Sequence, residues 1–180
     1  MNVCPLHKFG IGGCVATFAA LFLLSFEAMA QHSPSDPKSA VASLVYFTGD
    51  WDCNGKFDSS GKAIAARQHF AIDLDGTWML FRHDDKPPFN YHALSEWGWN
   101  ANRKELVMLA QDSIGGARVF SSKGWEGSTL QWDGDALDNG AAPGQRFTFE
   151  RLDERHFRVS YYTRKENTWT RVDSSACDKQ

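Results

Sequence analysis

Arg146 to Tyr162 reads RFTFERLDERHFRVSYY, and its alternation decides the fold. Phe147 and Phe149 fall on one side of an extended chain, with Arg146, Thr148 and Glu150 on the other. After a turn at Asp153-Glu154 the pattern resumes, with Phe157, Val159 and Tyr161 opposite His156, Arg158, Ser160 and Tyr162. A period of two with one wet side marks strands of an antiparallel sheet. Gln68 to Leu74 repeats it, with Phe70, Ile72 and Leu74 opposite His69, Ala71 and Asp73. Asp75-Gly76 then predicts a two-residue type I′ hairpin, whose central positions both need positive φ. Further turn signals stand at Ser59-Ser60-Gly61, Asp84 to Pro88, Asn100 to Arg103, Gly115-Gly116, Lys123-Gly124, Asp133-Gly134, Asn139 to Gly144 and Lys165 to Asn167. Between them lie about ten segments of strand length, spaced as in an all-β sandwich or barrel.

Ahead of these strands the pattern changes. Ser35 or Asp36 can cap a short helix with Pro37 in its first turn, running through Ala40, Leu44 and Val45 towards Phe47. Thr77 to Phe81 and Lys104 to Ala110 are apolar on both faces, and Trp97 and Trp99 lie on the strand between them. The outer side of that patch needs cover, from the helix or from a second copy of the chain in a homodimer. The helix is the simpler expectation.

Residues 1–30 have the parts of a secretory signal: Lys8 near the start, an apolar run from Val15 to Phe26, and Ala28-Met29-Ala30 before a mature start at Gln31. A membrane span needs about 20 apolar residues, and Glu27 ends this run early. Cys14 precedes the apolar run, which is the wrong order for a lipidation box. Residues 31–38 then read as a polar, proline-containing leader, and residues 39–180 as one domain. The composition, 42% apolar and 23% charged with a formal net charge of −3, is that of a globular chain and lacks the basic runs of a nucleic-acid binder. Cys4 and Cys14 leave with the signal. The remaining two cysteines of an exported chain, Cys53 and Cys177, are expected to pair, in the periplasm or outside the cell.

Gly49-Asp50-Trp51 opens the first strand just after the short helix, and an antiparallel meander follows. This resembles the calycin group of β-barrels, which includes lipocalins, fatty-acid-binding proteins and nitrobindin-like barrels, in an exported bacterial form. The resemblance covers about residues 40–177. It implies a single up-and-down barrel in which Trp51 closes one end under an Arg from the last strand, here Arg171. Closure would also make the first and last strands neighbours, so that a Cys53–Cys177 bond pins the seam. The likeness to nitrobindin brings haem into view but disfavours it. That relative's histidine lies near the C-terminus, whereas the last histidine here is His156, on an earlier strand with a wet face. No cofactor is expected.

For chemistry, Asp50-Trp51-Asp52-Cys53-Asn54-Gly55 opens like a calcium loop, but the twelfth position is Gly61 instead of a bidentate Glu. His83-Asp84-Asp85, Pro87-Pro88 and Tyr91-His92 form the most suggestive cluster, a hairpin across which His83 and His92 could face each other as an acid–base pair. The plain alternative is a solvated charged loop. Seven tryptophans and thirteen phenylalanines supply either a ring-binding surface or core. Gln68, Arg82, Glu96 and Arg118 alternate with apolar residues, so with Trp97 they are candidates to hold the polar end of an apolar ligand. No nucleophile elbow, phosphate loop, dinucleotide fingerprint or metal motif is present. The expectation is an exported barrel binding a small, mostly apolar molecule without catalysis. The alternatives are an isomerase- or lyase-like enzyme at the barrel mouth using His83, Asp84 or His92, and an interaction or inhibitor module using the patch around Trp97 and Trp99.

Overall fold

In the computed structural model, which describes residues 36–136 and 144–180, Asp36 starts the first element. Its carboxylate accepts from the Ser39 N–H at 3.0 Å, while the Ser39 hydroxyl faces the Asp36 N–H at 3.4 Å. This capping box satisfies donors that the first turn leaves free, and Pro37 sits where a missing N–H costs nothing. Helix α1 (Pro37–Ala42) has six residues, too few to be stable alone. Burial holds it: Ala40, Val41, Leu44 and, after a 3₁₀ turn at Val45–Phe47, Phe47 are fully buried. The signal segment 1–30 and residues 31–35 of the leader lie outside the described residues.

Among the described residues eleven strands follow: β1 (Gly49–Phe57), β2 (Ala63–Asp73), β3 (Trp78–Asp85), β4 (His92–Asn100), β5 (Glu105–Asp112), β6 (Ala117–Ser122), β7 (Trp125–Glu126), β8 (Thr129–Ala136), β9 (Gly144–Arg151), β10 (His156–Lys165) and β11 (Thr168–Lys179). All pairings are antiparallel between chain neighbours, with two exceptions in sequence distance. β6 pairs directly with β8, leaving the two-residue β7 as a side branch, and β1 pairs with β11. Ten strands therefore close into a barrel, which removes the free edges an open sheet would carry. At the seam Trp51 faces Lys179, Cys53 faces Cys177 and Phe57 faces Asp173. Cys53 and Cys177 are disulfide-bonded across a separation of 124 residues.

The alternation read from residues 146–162 holds, with Phe149 and Phe157 among the buried core. Ile72 and Leu74 share the inward parity of Phe70 but are 38% and 63% exposed, because β2 runs into its turn there. That turn is not the expected two-residue hairpin. Asp73 pairs with Trp78, leaving four residues between them. The Asp73 carboxylate accepts from the Leu74 N–H at 2.6 Å and the Thr77 hydroxyl donates to the Leu74 carbonyl, stabilising a short 3₁₀ turn with positive φ at Leu74, Asp75 and Gly76.

The short helix also does something other than expected. It does not cover the outer face of β3–β5; it closes one end of the barrel. Phe47 reaches inside, its ring 5.2–5.6 Å from those of Phe70, Trp97, Phe149 and Phe157. Trp51 is there as the resemblance implied, its indole N–H donating to the Phe47 carbonyl at 2.6 Å. Its cationic neighbour is Lys179, 5.1 Å from the ring, not Arg171. Arg171 lies towards the opposite barrel end and pairs with Asp58 at 2.8 Å. The substitution follows from register, since Lys179 stands directly across from Trp51.

Candidate functional site

Past the aromatic plug the barrel is hollow. A cavity of about 560 Å³ opens at the end away from the helix, within the roughly 300–1,000 Å³ range of small-molecule sites. Most of its wall is apolar, with Phe57, Ile64, Phe89, Met108, Phe147 and Val159 contributing. The polar lining comes from the same inward-facing parity further along each strand. β3 carries Met79 and Phe81 into the core and then His83 and Asp85 into the cavity; β11 carries Cys177 and then Ser175 and Asp173.

His83 sits between two partners. Its Nε2 lies 2.8 Å from Asp85 Oδ1 and its Nδ1 lies 3.2 Å from the Gln68 amide nitrogen. An amide N–H₂ can only donate, so Nδ1 accepts and the ring proton on Nε2 is given to Asp85. This leaves the buried Gln68 Oε1 without a partner. Asp173 lines the same cavity. Burial pushes its carboxyl up to about 6; the His83 imidazole opposes that rise, Asp58 and Asp85 add to it, and Arg171 opposes it. On the other side, Arg118 donates to Asp112 at 2.5 Å. Burial pushes the Asp112 carboxyl up, but Arg118 and the Gly116 and Ile114 N–H groups more than reverse this, so it titrates below the ordinary range. Burial also raises the phenols of Tyr91, to about 12, and of Tyr161.

The expected site residues part company here. Gln68 and Arg118 line the cavity. Trp97 is fully buried in the plug, donating to the Ser95 hydroxyl at 3.0 Å. Arg82 and Glu96 occupy the outward positions of β3 and β4, and Arg82 pairs there with Asp84 at 2.8 Å. Gly49 begins β1 with φ +115° beside Lys179, a conformation that favours glycine. His83 and His92 do not face each other. Asp84 is the residue opposite His92, so His92 Nδ1 meets Asp84 at 2.7 Å on the outer face while His83 points inward. The pleat, which alternates faces residue by residue, separates them. The patch around Trp97 and Trp99 is likewise interior, since Trp99 packs against the core. Asp50 to Gly55 belongs to the extended β1, not to a loop. Asp85 belongs to the cluster read from the sequence, whereas Asp173 and Tyr161 carry no role in that reading. Counting inward by twos from Cys177 reaches Asp173, so the signal was available for that residue.

No family model matches the chain, and no curated protein is similar to it in sequence. Among solved structures, that of Rv2717c from M. tuberculosis is similar in fold, with a TM-score of 0.60 at 12% identity over 81% of this chain and 99% of that one. Two β-barrels bound to DFHBI, EF1p2_mFAP2b and the redesigned mFAP1, match more loosely. Both are 10% identical over 78% of this chain and 99% and 98% of theirs, with TM-scores of 0.36 and 0.34. At such identities the first likeness speaks for the fold alone, and nothing rests on the other two.

Proposed function

We propose that this chain is an exported, calycin-like barrel that holds a small, mostly apolar molecule in its interior without covalent chemistry. The observation that carries the reading is the cavity of about 560 Å³, walled by aromatic and aliphatic side chains with a few convergent polar groups at one end. A closed barrel plugged solid at both ends would offer no such space. The Cys53–Cys177 bond is compatible with a periplasmic or extracellular location, where disulfides persist. Among the described residues no helix is long and apolar enough to cross a membrane. Native mass spectrometry of the exported protein is expected to show a retained mass, and a neutral lipophilic dye such as Nile red is expected to bind at micromolar concentration. Absence of both would sink the reading.

A second reading has one observation in its favour. His83 stands against Asp85 in a cavity shared with Asp173, whose carboxyl titrates near 6, and groups poised near neutral pH suit acid–base catalysis. His92 has no part in it, being on the outer face. Under this reading His83→Ala abolishes turnover of a substrate; under the first it leaves Nile red binding nearly intact.

A further inference from the structure

The charge lining the cavity is lopsided. Its one guanidinium is matched by a carboxylate: Arg118 donates to Asp112 at 2.5 Å, the Tyr91 hydroxyl faces the same carboxylate at 3.4 Å, and the His83 N–H goes to Asp85. The Gln68 amide nitrogen is turned towards His83 at 3.2 Å. Three of its acceptors have no such cation among the described residues. Gln68 is only 4% exposed and its Oε1 has no partner, a buried oxygen whose lost hydration nothing in the chain replaces. Asp85 uses one oxygen on His83. Asp173 feels its neighbours through charge and burial, with no hydrogen bond to its carboxylate among the described residues. The Tyr161 hydroxyl, which can donate or accept, is neutral on this count.

We propose that the ligand is a lipophilic amine whose protonated nitrogen donates to Asp85, Asp173 and Gln68 Oε1 while its apolar body lies against Phe57, Phe89 and Phe147. The inference rests on the cavity being a binding site. An ammonium brings three donors and no acceptor, which matches the three free acceptors. A carboxylate or phosphate head would meet two acidic side chains, with the one guanidinium that lines the cavity already engaged by Asp112. An alcohol brings a single donor and no charge. Hydrogen bonds between ions of opposite sign are about twice as strong as neutral ones, and more so where water is excluded.

The test uses the disulfide-bonded protein with Nile red bound, and compares octylamine, octanol and octanoate as displacing agents at pH 7.5. Octylamine is expected to displace the dye at about tenfold lower concentration than octanol, with octanoate weakest. Asp85→Asn and Asp173→Asn are each expected to shrink that preference, read as the ratio of octylamine to octanol potency, by at least about threefold, with an unchanged circular dichroism spectrum showing that the variants fold. Gln68→Leu, which alters no charge, should reduce it in the same direction. Equal potency of octylamine and octanol, a preference for octanoate, or a preference untouched by both aspartate variants would overturn the amine assignment while leaving the binding site standing. Failure of Nile red itself to bind would overturn both.

Discussion

At the helix end of the barrel, Phe47 has six rings within 5.2–5.6 Å and the fully buried set includes Trp51, Phe70, Trp97 and Trp132. At the other end, the same inward positions of the same strands carry His83, Asp85, Gln68 and Asp173 around an empty volume. β2 passes from Phe70 to Gln68, β3 from Phe81 to His83 and β11 from Cys177 to Asp173, so the change occurs at one level around the seam. Facing inward therefore does not by itself make a residue core. The helix decides, because it supplies Phe47 and Leu44 to one end and nothing to the other. Packing density at the plugged end should translate into stability, and its absence at the open end into tolerance.

The largest effect is expected from Trp97→Ala. Its side chain is fully enclosed, so truncation leaves a cavity that the barrel cannot collapse, at about 3–5 kcal/mol by urea unfolding. Phe147→Ala, half-buried beside space already empty, should cost only about 1–2 kcal/mol. Equal losses would break the contrast between the ends. Next is the bond that staples the seam between them. Cys53→Ser with Cys177→Ser should lower stability by about 2–4 kcal/mol, with little change in the native-state spectrum, because the effect lies chiefly in the unfolded chain.

Much of this contrast could be read from the sequence, and the part that could not has a physical reason. The strands, their approximate number, the capped helix and the cysteine pairing follow from local signals: alternation, turn residues, a capping box and arithmetic. Which end the helix plugs does not, since it depends on Phe47 meeting residues from four distant strands. The site was legible only where parity could be anchored. Gln68 shares a clean alternation with Phe70, and it lines the cavity. Arg82 follows a stretch that is apolar on both faces, where Leu80 outside resembles Phe81 inside, and Glu96 lies on the next strand with Leu94 outside and Trp97 inside, so period alone does not orient them. His83 and His92 were paired by proximity across a hairpin, yet the register sets Asp84 opposite His92 and so puts the two rings on opposite faces.

A smaller effect, with a definite sign, belongs to the open end. The folded-state Asp173 carboxyl is raised to about 6 from an ordinary 3.8 by burial, with His83 and Arg171 opposing and Asp58 and Asp85 adding; Tyr161 faces it from β10. The folded protein thus holds this proton more tightly than the unfolded chain does. The contribution is most favourable below about pH 4, is lost as the pH rises towards 6, and remains a penalty above that. Asp173→Asn should therefore stabilise the protein by about 1–3 kcal/mol at pH 8 and lose that advantage at pH 4, as read from urea midpoints at the two values. A variant that is destabilised at pH 8 would mean that Asp173 is held by a donor, and that this end is packed like the other.

The smallest effect separates two cations that the sequence invited us to confuse. Lys179 stands over Trp51 at the plugged end, where a cation on an aromatic face contributes about 0.5–1 kcal/mol. Arg171 stands at the open end, paired with Asp58 between side chains that are 44% and 31% exposed, a setting in which ion pairs are often worth nothing measurable. Arg171→Ala is expected to shift the urea midpoint less than Lys179→Ala does, and raising the salt concentration should erase most of what Arg171 contributes while sparing Lys179. The reverse ranking would mean that Arg171, the residue the calycin resemblance named, matters more than the cation that stands over Trp51. It would also mean that the open end draws stability from its rim, which its hollow interior gives no reason to expect.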